Sequence, residues 1–173
     1  MSEVIRIRGG RLGDEQGIAR VHVDSWQTTY AGILPDEELL KLSVPNRTRM
    51  WGQALRRKGL LLVADDEKSG IIGFASAGRN RHQESPFTSE VYALYLLSDF
   101  QGFGIGRALL SAIFRELNRG GHESSMLWVL SQNPTRFFYE AMGGRRFAEG
   151  TEMVAGEAFD TIGYCWDDLN LFA

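Results

Sequence analysis

Ser89-Glu90-Val91-Tyr92-Ala93-Leu94-Tyr95-Leu96-Leu97, then Ser98-Asp99-Phe100, then Gln101-Gly102-Phe103-Gly104-Ile105-Gly106-Arg107: on this run the reading of the fold turns. Its first part alternates as a strand does, which puts Glu90, Tyr92, Leu94 and Leu96 on one face and Val91, Ala93, Tyr95 and Leu97 on the other. From Gly104 the period changes. Ile105, Leu109, Ile113 and Leu117 recur at four-residue spacing, Ala108 and Ala112 widen the stripe, and Gly120-Gly121 close the helix. The glycines between strand and helix therefore sit where helical N–H groups lack partners and the macrodipole is positive, with no Cβ to hold an anion away. Arg107 adds positive charge to that same first turn, a placement costing about 0.3–1 kcal/mol that a bound anion would relieve.

Two familiar phosphate loops do not fit. A P-loop needs Lys followed by Ser or Thr after its last glycine, and here Arg107-Ala108 follows Gly106. A Rossmann fingerprint needs a third glycine three residues after the second, where this chain has Arg107, and normally lies in an early strand-helix-strand unit.

Upstream, Leu60 to Ala64 and Ile71 to Ala75 are short apolar runs joined by a polar turn, which reads as a hairpin. Val4 to Arg8 reads as a first strand. A helix follows from Asp14 as N-cap, with Ala19, Val23, Trp26 and Tyr30 on one stripe, and then two short helices, Asp36 to Leu42 and Asn46 to Arg57, separated by Pro45. Downstream, Met126 to Leu130 reads as a strand. Asn133-Pro134 supplies a cap and a first-turn proline for a helix ending at Gly143-Gly144, and Arg145 to Val154 with Ala158 to Trp166 forms a strand pair. Antiparallel hairpins beside a strand-helix-strand unit imply a mixed sheet covered by helices.

At 173 residues, 43% of them hydrophobic and 24% charged, the chain is expected to form one soluble domain. A net charge of -3 argues against a nucleic-acid partner. Cys165 has no second cysteine to pair with, and no Cys and His spacing suits a metal, so a reducing cytoplasm and no metal are expected. No run approaches the roughly 20 apolar residues of a membrane span.

The pattern Gln101-x-x-Gly104-x-Gly106 resembles the acetyl-CoA loop of the GNAT family of N-acetyltransferases. The likeness extends over nearly the whole chain. Val91 to Leu97 looks like the family's central strand, Phe138-Tyr139-Glu140-Ala141-Met142-Gly143 is similar to its Phe-Tyr-x-x-x-Gly stretch, and Trp26 to Pro35 is similar to one of its subgroups. Leu96 to Ser98 departs from the Val, Ile or Pro that the family often carries there.

The resemblance implies a single GNAT domain over residues 1–173, an α/β fold whose mixed, mostly antiparallel sheet has a splayed central strand pair and flanking helices. It implies acetyl-CoA as co-substrate and no metal. The co-substrate's diphosphate would lie on the amides from Gln101 through Gly102, Phe103, Gly104, Ile105 and Gly106, with Arg107 in the same turn, and its pantetheine along Leu94, Tyr95 and Leu96. Asn133 and Arg136 would add cofactor contacts. Tyr139 would give a proton to the leaving thiolate and Glu90 would accept the amine proton through water, with His82 and Glu84 as substitutes. The amide of Leu96 would face the oxyanion, and Trp26, Tyr30 and His22 would line the acceptor pocket.

Blander readings stand beside these: Tyr139 packing a helix, Glu90 a solvated strand-end carboxylate, Trp26 and Tyr30 core aromatics. The expected acceptor is a small-molecule amine, with a protein or peptide amine, or a non-catalytic acyl-CoA sensor, as alternatives. A nucleotide-binding or oxidoreductase domain using the same glycines is a further competitor, and homodimers are frequent among proteins of this type.

Overall fold

A computed structural model describes residues 4–173. The hairpin runs become β2 (Leu60–Asp66) and β3 (Gly70–Arg79), joined by a turn in which the Asp66 carboxylate accepts from the N–H groups of Lys68 and Ser69 at 3.2 and 2.8 Å. Strand β1 (Ile5–Gly9) pairs with β2, and β4 (Ser89–Leu96) pairs with β3, all antiparallel. Beyond β4 come β5 (Ser125–Leu130), β6 (Arg145–Val154) and β7 (Glu157–Trp166), giving one seven-stranded sheet in the order β1-β2-β3-β4-β5-β7-β6. This is the mixed, mostly antiparallel sheet that the order of elements implies.

Its one parallel pairing is also its weakest. β4 and β5 are matched only at Ser89 with Ser125 and Glu90 with Met126, after which the strands part. Helix α4 (Ile105–Arg119) covers one face with its stripe of Ile105, Leu109, Ile113 and Leu117, packed on Val91, Leu94 and Leu96. Helix α1 (Glu15–Thr29) covers the other face, where Ile18 and Val21 pack with Val63, Phe74, Ala93 and Tyr95.

Those two clusters correct the alternation expected along β4. Ser76 and Ala77, successive on β3, are partners of Ala93 and Val91, so Tyr92 is an extra residue on β4. Such a bulge reverses the facing of everything on one side of it. Val91 thus joins Leu94 and Leu96 under α4, and Glu90 turns to the face of Tyr95 rather than to that of the leucines.

Smaller corrections concern helix starts. Pro45 does not separate two helices but lies in the first turn of α3 (Val44–Arg56), whose Ser43 hydroxyl accepts the Asn46 N–H at 3.3 Å, while α2 spans only Asp36–Leu40. A missing N–H costs nothing in a first turn. Asp14 precedes α1 but caps nothing with its side chain, which instead accepts from Arg8 at 2.8 and 2.9 Å. The last helix, α5 (Arg136–Ala141), starts later than Asn133-Pro134 suggests, because the Asn133 carboxamide closes a turn by accepting the Thr135 N–H at 2.9 Å. Among the described residues no helix is long and apolar enough to cross a membrane.

Candidate active site

Where β4 and β5 diverge, the sheet opens into a cleft on one side and a cavity on the other. The cleft has a volume of about 450 Å³ and is walled by Leu94, Leu96, Gly102, Gly104, Arg107 and, from α1, Ser25. Gly102 and Gly104 hold left-handed φ angles of 83° and 82°, where a Cβ is strained, and this turns the following amides outward. Within the loop, the Gln101 N–H donates to Ser98 O at 3.1 Å and the helix begins with Ala108 N–H to Gly104 O at 3.0 Å. Among the described residues, the amides of Gly102 through Arg107 donate to no protein acceptor. Six free donors at the positive end of a long helix fit a diphosphate.

The β4 edge points the same way. Leu97 N–H donates to Ile72 O of β3 at 2.9 Å, so strand alternation turns the amides of Leu96 and Leu94 into the opening. The Leu96 carbonyl, on that same edge, accepts from the Gln101 side chain at 3.1 Å. At Gly106 α4 lies against α5, where a Cβ would make an ordinary contact with the Phe138 ring at 3.5 Å.

Not every expected contact is available: the Gln101 amide is taken by Ser98, and Phe103 and Ile105 offer only their amides, since the Ile105 side chain is buried in the core under the loop and Phe103 is 78% exposed at its tip. Arg136 stacks on Phe137 at 4.4 Å and is not among the residues that wall the cleft. Asn133 sits deeper, and its amide nitrogen donates to the Tyr30 hydroxyl at 3.2 Å.

A narrow space of about 70 Å³ joins cleft and cavity, bounded by Leu94, Tyr95, Trp128, Asn133 and Tyr139. Tyr139 is 6% exposed, and among the described residues its hydroxyl has no hydrogen-bond partner. Burial, then the neighbouring Tyr95 and Tyr30, pushes its pKa well above the ordinary phenol value. Tyr139 is therefore a neutral phenol at physiological pH.

The cavity beyond has a volume of about 480 Å³, and its walls include Trp26, Tyr30, Tyr95, Trp128, Glu90 and Glu152. Trp26 donates its indole N–H to the Tyr95 hydroxyl at 2.8 Å and packs against Tyr30 with ring centres 4.8 Å apart. His22 lies behind this wall rather than in it. It stacks on Tyr95 at 5.3 Å, accepts the Trp51 indole N–H on Nδ1 at 3.0 Å, and burial, with a smaller effect from Arg47, pushes its pKa down to about 4.

Glu90 is 2% exposed and held by Arg81, whose Nε, Nη2 and backbone N–H lie at 3.0, 2.7 and 3.2 Å from its oxygens. The side chain of His82 approaches the same carboxylate at 3.8 Å, while Glu84 stays exposed in the loop and does not line the cavity.

Four residues of the site carried no clear signal in the sequence. Arg81 lies over Tyr92 at 4.5 Å in a loop of mixed polarity, and Glu152 lies among polar neighbours in β6. The Ser25 hydroxyl and the Trp128 indole N–H are buried with no partner among the described residues, which only coordinates reveal.

A cleft with a free-amide loop is thus joined, through a splayed strand pair, to an aromatic cavity across one sheet. The Acetyltransferase (GNAT) family model matches residues 21–143. The chain is 39% identical to the uncharacterized N-acetyltransferase YuaI of Bacillus subtilis strain 168, covering 96% of this chain and 95% of that one. It is 27% identical to the probable N-acetyltransferase Rv2775 of Mycobacterium tuberculosis, covering 92% of each. In fold it resembles the PaiA N-acetyltransferase of Thermoplasma acidophilum in complex with coenzyme A, with a TM-score of 0.68, 24% identity and coverage of 94% and 98%. It also resembles YncA of Salmonella typhimurium with acetyl-CoA, with a TM-score of 0.72, 24% identity and coverage of 95% and 94%. The chain belongs to the GNAT acetyltransferase family and is an acetyl-CoA-dependent N-acetyltransferase.

Proposed function

We propose that the chain, working as one domain in the cytoplasm, moves an acetyl group from acetyl-CoA to a primary amine of a small molecule by direct attack within a ternary complex. The observation that carries this reading is the unpartnered Tyr139 hydroxyl in the narrow space between cleft and cavity. A cavity of about 480 Å³ with aromatic walls suits a small acceptor better than a folded protein surface.

Acetyl-CoA supplies the thioester. The amides of Gly102 through Arg107 hold the diphosphate, and the edge of β4 at Leu94 and Leu96 pairs with the pantetheine amides once the Gln101 side chain leaves the Leu96 carbonyl. Ser25, whose hydroxyl is buried without a partner on the α1 wall, adds a hydrogen bond to the donor arm. The Leu96 amide faces the opening and stabilises charge on the acyl oxygen. The new N–C bond forms as the C–S bond breaks.

Tyr139 gives its proton to the departing sulfur. Burial keeps that proton on the phenol in the resting protein, so it is present when the thiolate forms. Glu90 takes the amine proton through water on the lone pair that Arg81 leaves open. Arg81 holds the carboxylate from one side, and His82 at 3.8 Å provides a second route to solvent. Trp26 and Tyr30 shape the acceptor wall.

A panel of small primary amines, followed by thiol release, tests the reading. Turnover with at least one of them, exceeding that with peptide or protein amines, is the expected result. Faster turnover on a peptide would favour the protein-directed alternative, and acetyl-CoA binding without any acetylation would favour the sensor.

A further inference from the structure

The outer wall of the acceptor cavity carries a carboxylate with no ion-pair or hydrogen-bond partner among the described residues. Glu152 lies in β6 opposite Phe159 of β7, is exposed, and lines the cavity. Among the described residues it forms no ion pair or hydrogen bond. Its charge is felt at the Tyr30 and Tyr95 phenols, whose pKa values it raises after larger effects: burial and the Asn133 hydrogen bond at Tyr30, and burial, Tyr30, the Trp26 hydrogen bond and the opposing charge of Arg47 at Tyr95. The cavity's other carboxylate, Glu90, is paired with the Arg81 guanidinium, so of the two carboxylates that line the cavity only Glu152 lacks a partner among the described residues.

Around that charge stand the rings of Trp26, Tyr30, Tyr95 and Trp128. Aromatic rings and an unpaired carboxylate in one enclosure favour a cation, the carboxylate by Coulomb attraction and any ring that meets it face-on by its quadrupole. A neutral or anionic group gains neither.

Position then separates this charge from the chemistry. The reacting nitrogen must lie beside Tyr139, where β4 and β5 part, whereas β6 is the second strand outward from β5. At the usual strand spacing the β6 backbone runs roughly 10 Å from that of β5. Tyr139 bounds the narrow space and not the cavity, whereas Glu152 lines the cavity and not the narrow space. Resting on the small-amine reading above, we infer that Glu152 holds a second, non-reacting cationic centre of the acceptor, so that the favoured substrate is a small diamine or an amine carrying a remote positive group.

The test compares linear α,ω-diamines with monoamines and amino alcohols of the same chain length, followed by thiol release in the wild type, Glu152→Gln and Glu157→Gln. Glu157 is an exposed β7 carboxylate that does not line the cavity. In the wild type the best diamine exceeds its matched monoamine in kcat/KM by about tenfold, the ratio expected of one modest charge contact. The ratio falls to near one in Glu152→Gln and stays unchanged in Glu157→Gln. Calorimetric titration of the same diamine onto the CoA-loaded protein follows the same order.

Equal use of diamine, monoamine and amino alcohol by an active wild type overturns the inference and leaves the small-amine reading standing. So does a diamine preference that survives Glu152→Gln. Absence of thiol release with every amine, while acetyl-CoA still binds, overturns both.

Discussion

The cleft beside residues 101–107 offers main-chain N–H groups from one short run, whereas the cavity beyond β5 is lined by side chains drawn from positions as far apart as Trp26 and Glu152. Main-chain donors are the same in every residue, so such a site is specified by conformation: two left-handed glycines and a helix start. Side-chain walls are specified by identity and can change one residue at a time. Donor binding should therefore respond to backbone changes and acceptor binding to side-chain changes, with Tyr139 standing between them.

The largest effect tests that division at its centre. Tyr139→Phe keeps the ring packing and removes only the proton, so kcat should fall about 100-fold, within the usual range for one acid–base group, with both KM values little moved. If instead a KM moves and kcat does not, Tyr139 packs and does nothing more.

Next is acid stability on the acceptor side. The folded pKa of His22 is near 4 against an ordinary 6.5, so protons favour the unfolded chain. The stability His22 contributes is complete above its unfolded value and drains away as pH falls from about 6.5 toward 4. The shift corresponds to about 2 kcal/mol lost by pH 5. Denaturant melts at pH 7 and pH 5 should show this loss in the wild type and not in His22→Gln.

A smaller change should appear in the cleft. Gly104→Ala places a side chain at φ 82°, at a backbone cost of about 1–2 kcal/mol. KM for acetyl-CoA should rise by about tenfold as the loop relaxes, with KM for the amine unmoved. A rise in both would break the separation.

The smallest effect has two signs. Ser25→Ala removes a buried hydroxyl that has no partner, so the ligand-free protein should gain up to about 1 kcal/mol, while KM for acetyl-CoA rises a few-fold. Thermal melts with and without acetyl-CoA measure both.

The same contrast explains what the letters revealed. The loop, the α4 stripe and the hairpin are local patterns, readable within about two turns or strands. The facing of Glu90 is not, because the bulge at Tyr92 is carried by a residue that fits a regular strand equally well. Nor does chain order disclose that β7 lies between β5 and β6, which decides that Glu152 forms the far wall of the cavity. Asn133 reads in sequence as a helix cap, whereas its turn with Thr135 and its link to Tyr30, 103 positions away, depend on how the chain and α1 dock.

Helix α1 and the residue that caps it give Ser25 and Thr29 to the donor cleft and Trp26 and Tyr30 to the acceptor cavity, each pair one turn apart on adjoining strips. One rigid rod is thus the shared partition of two rooms. A tilt that widens one room narrows the other, so a substitution that shifts the rod announces itself in the binding of both substrates at once.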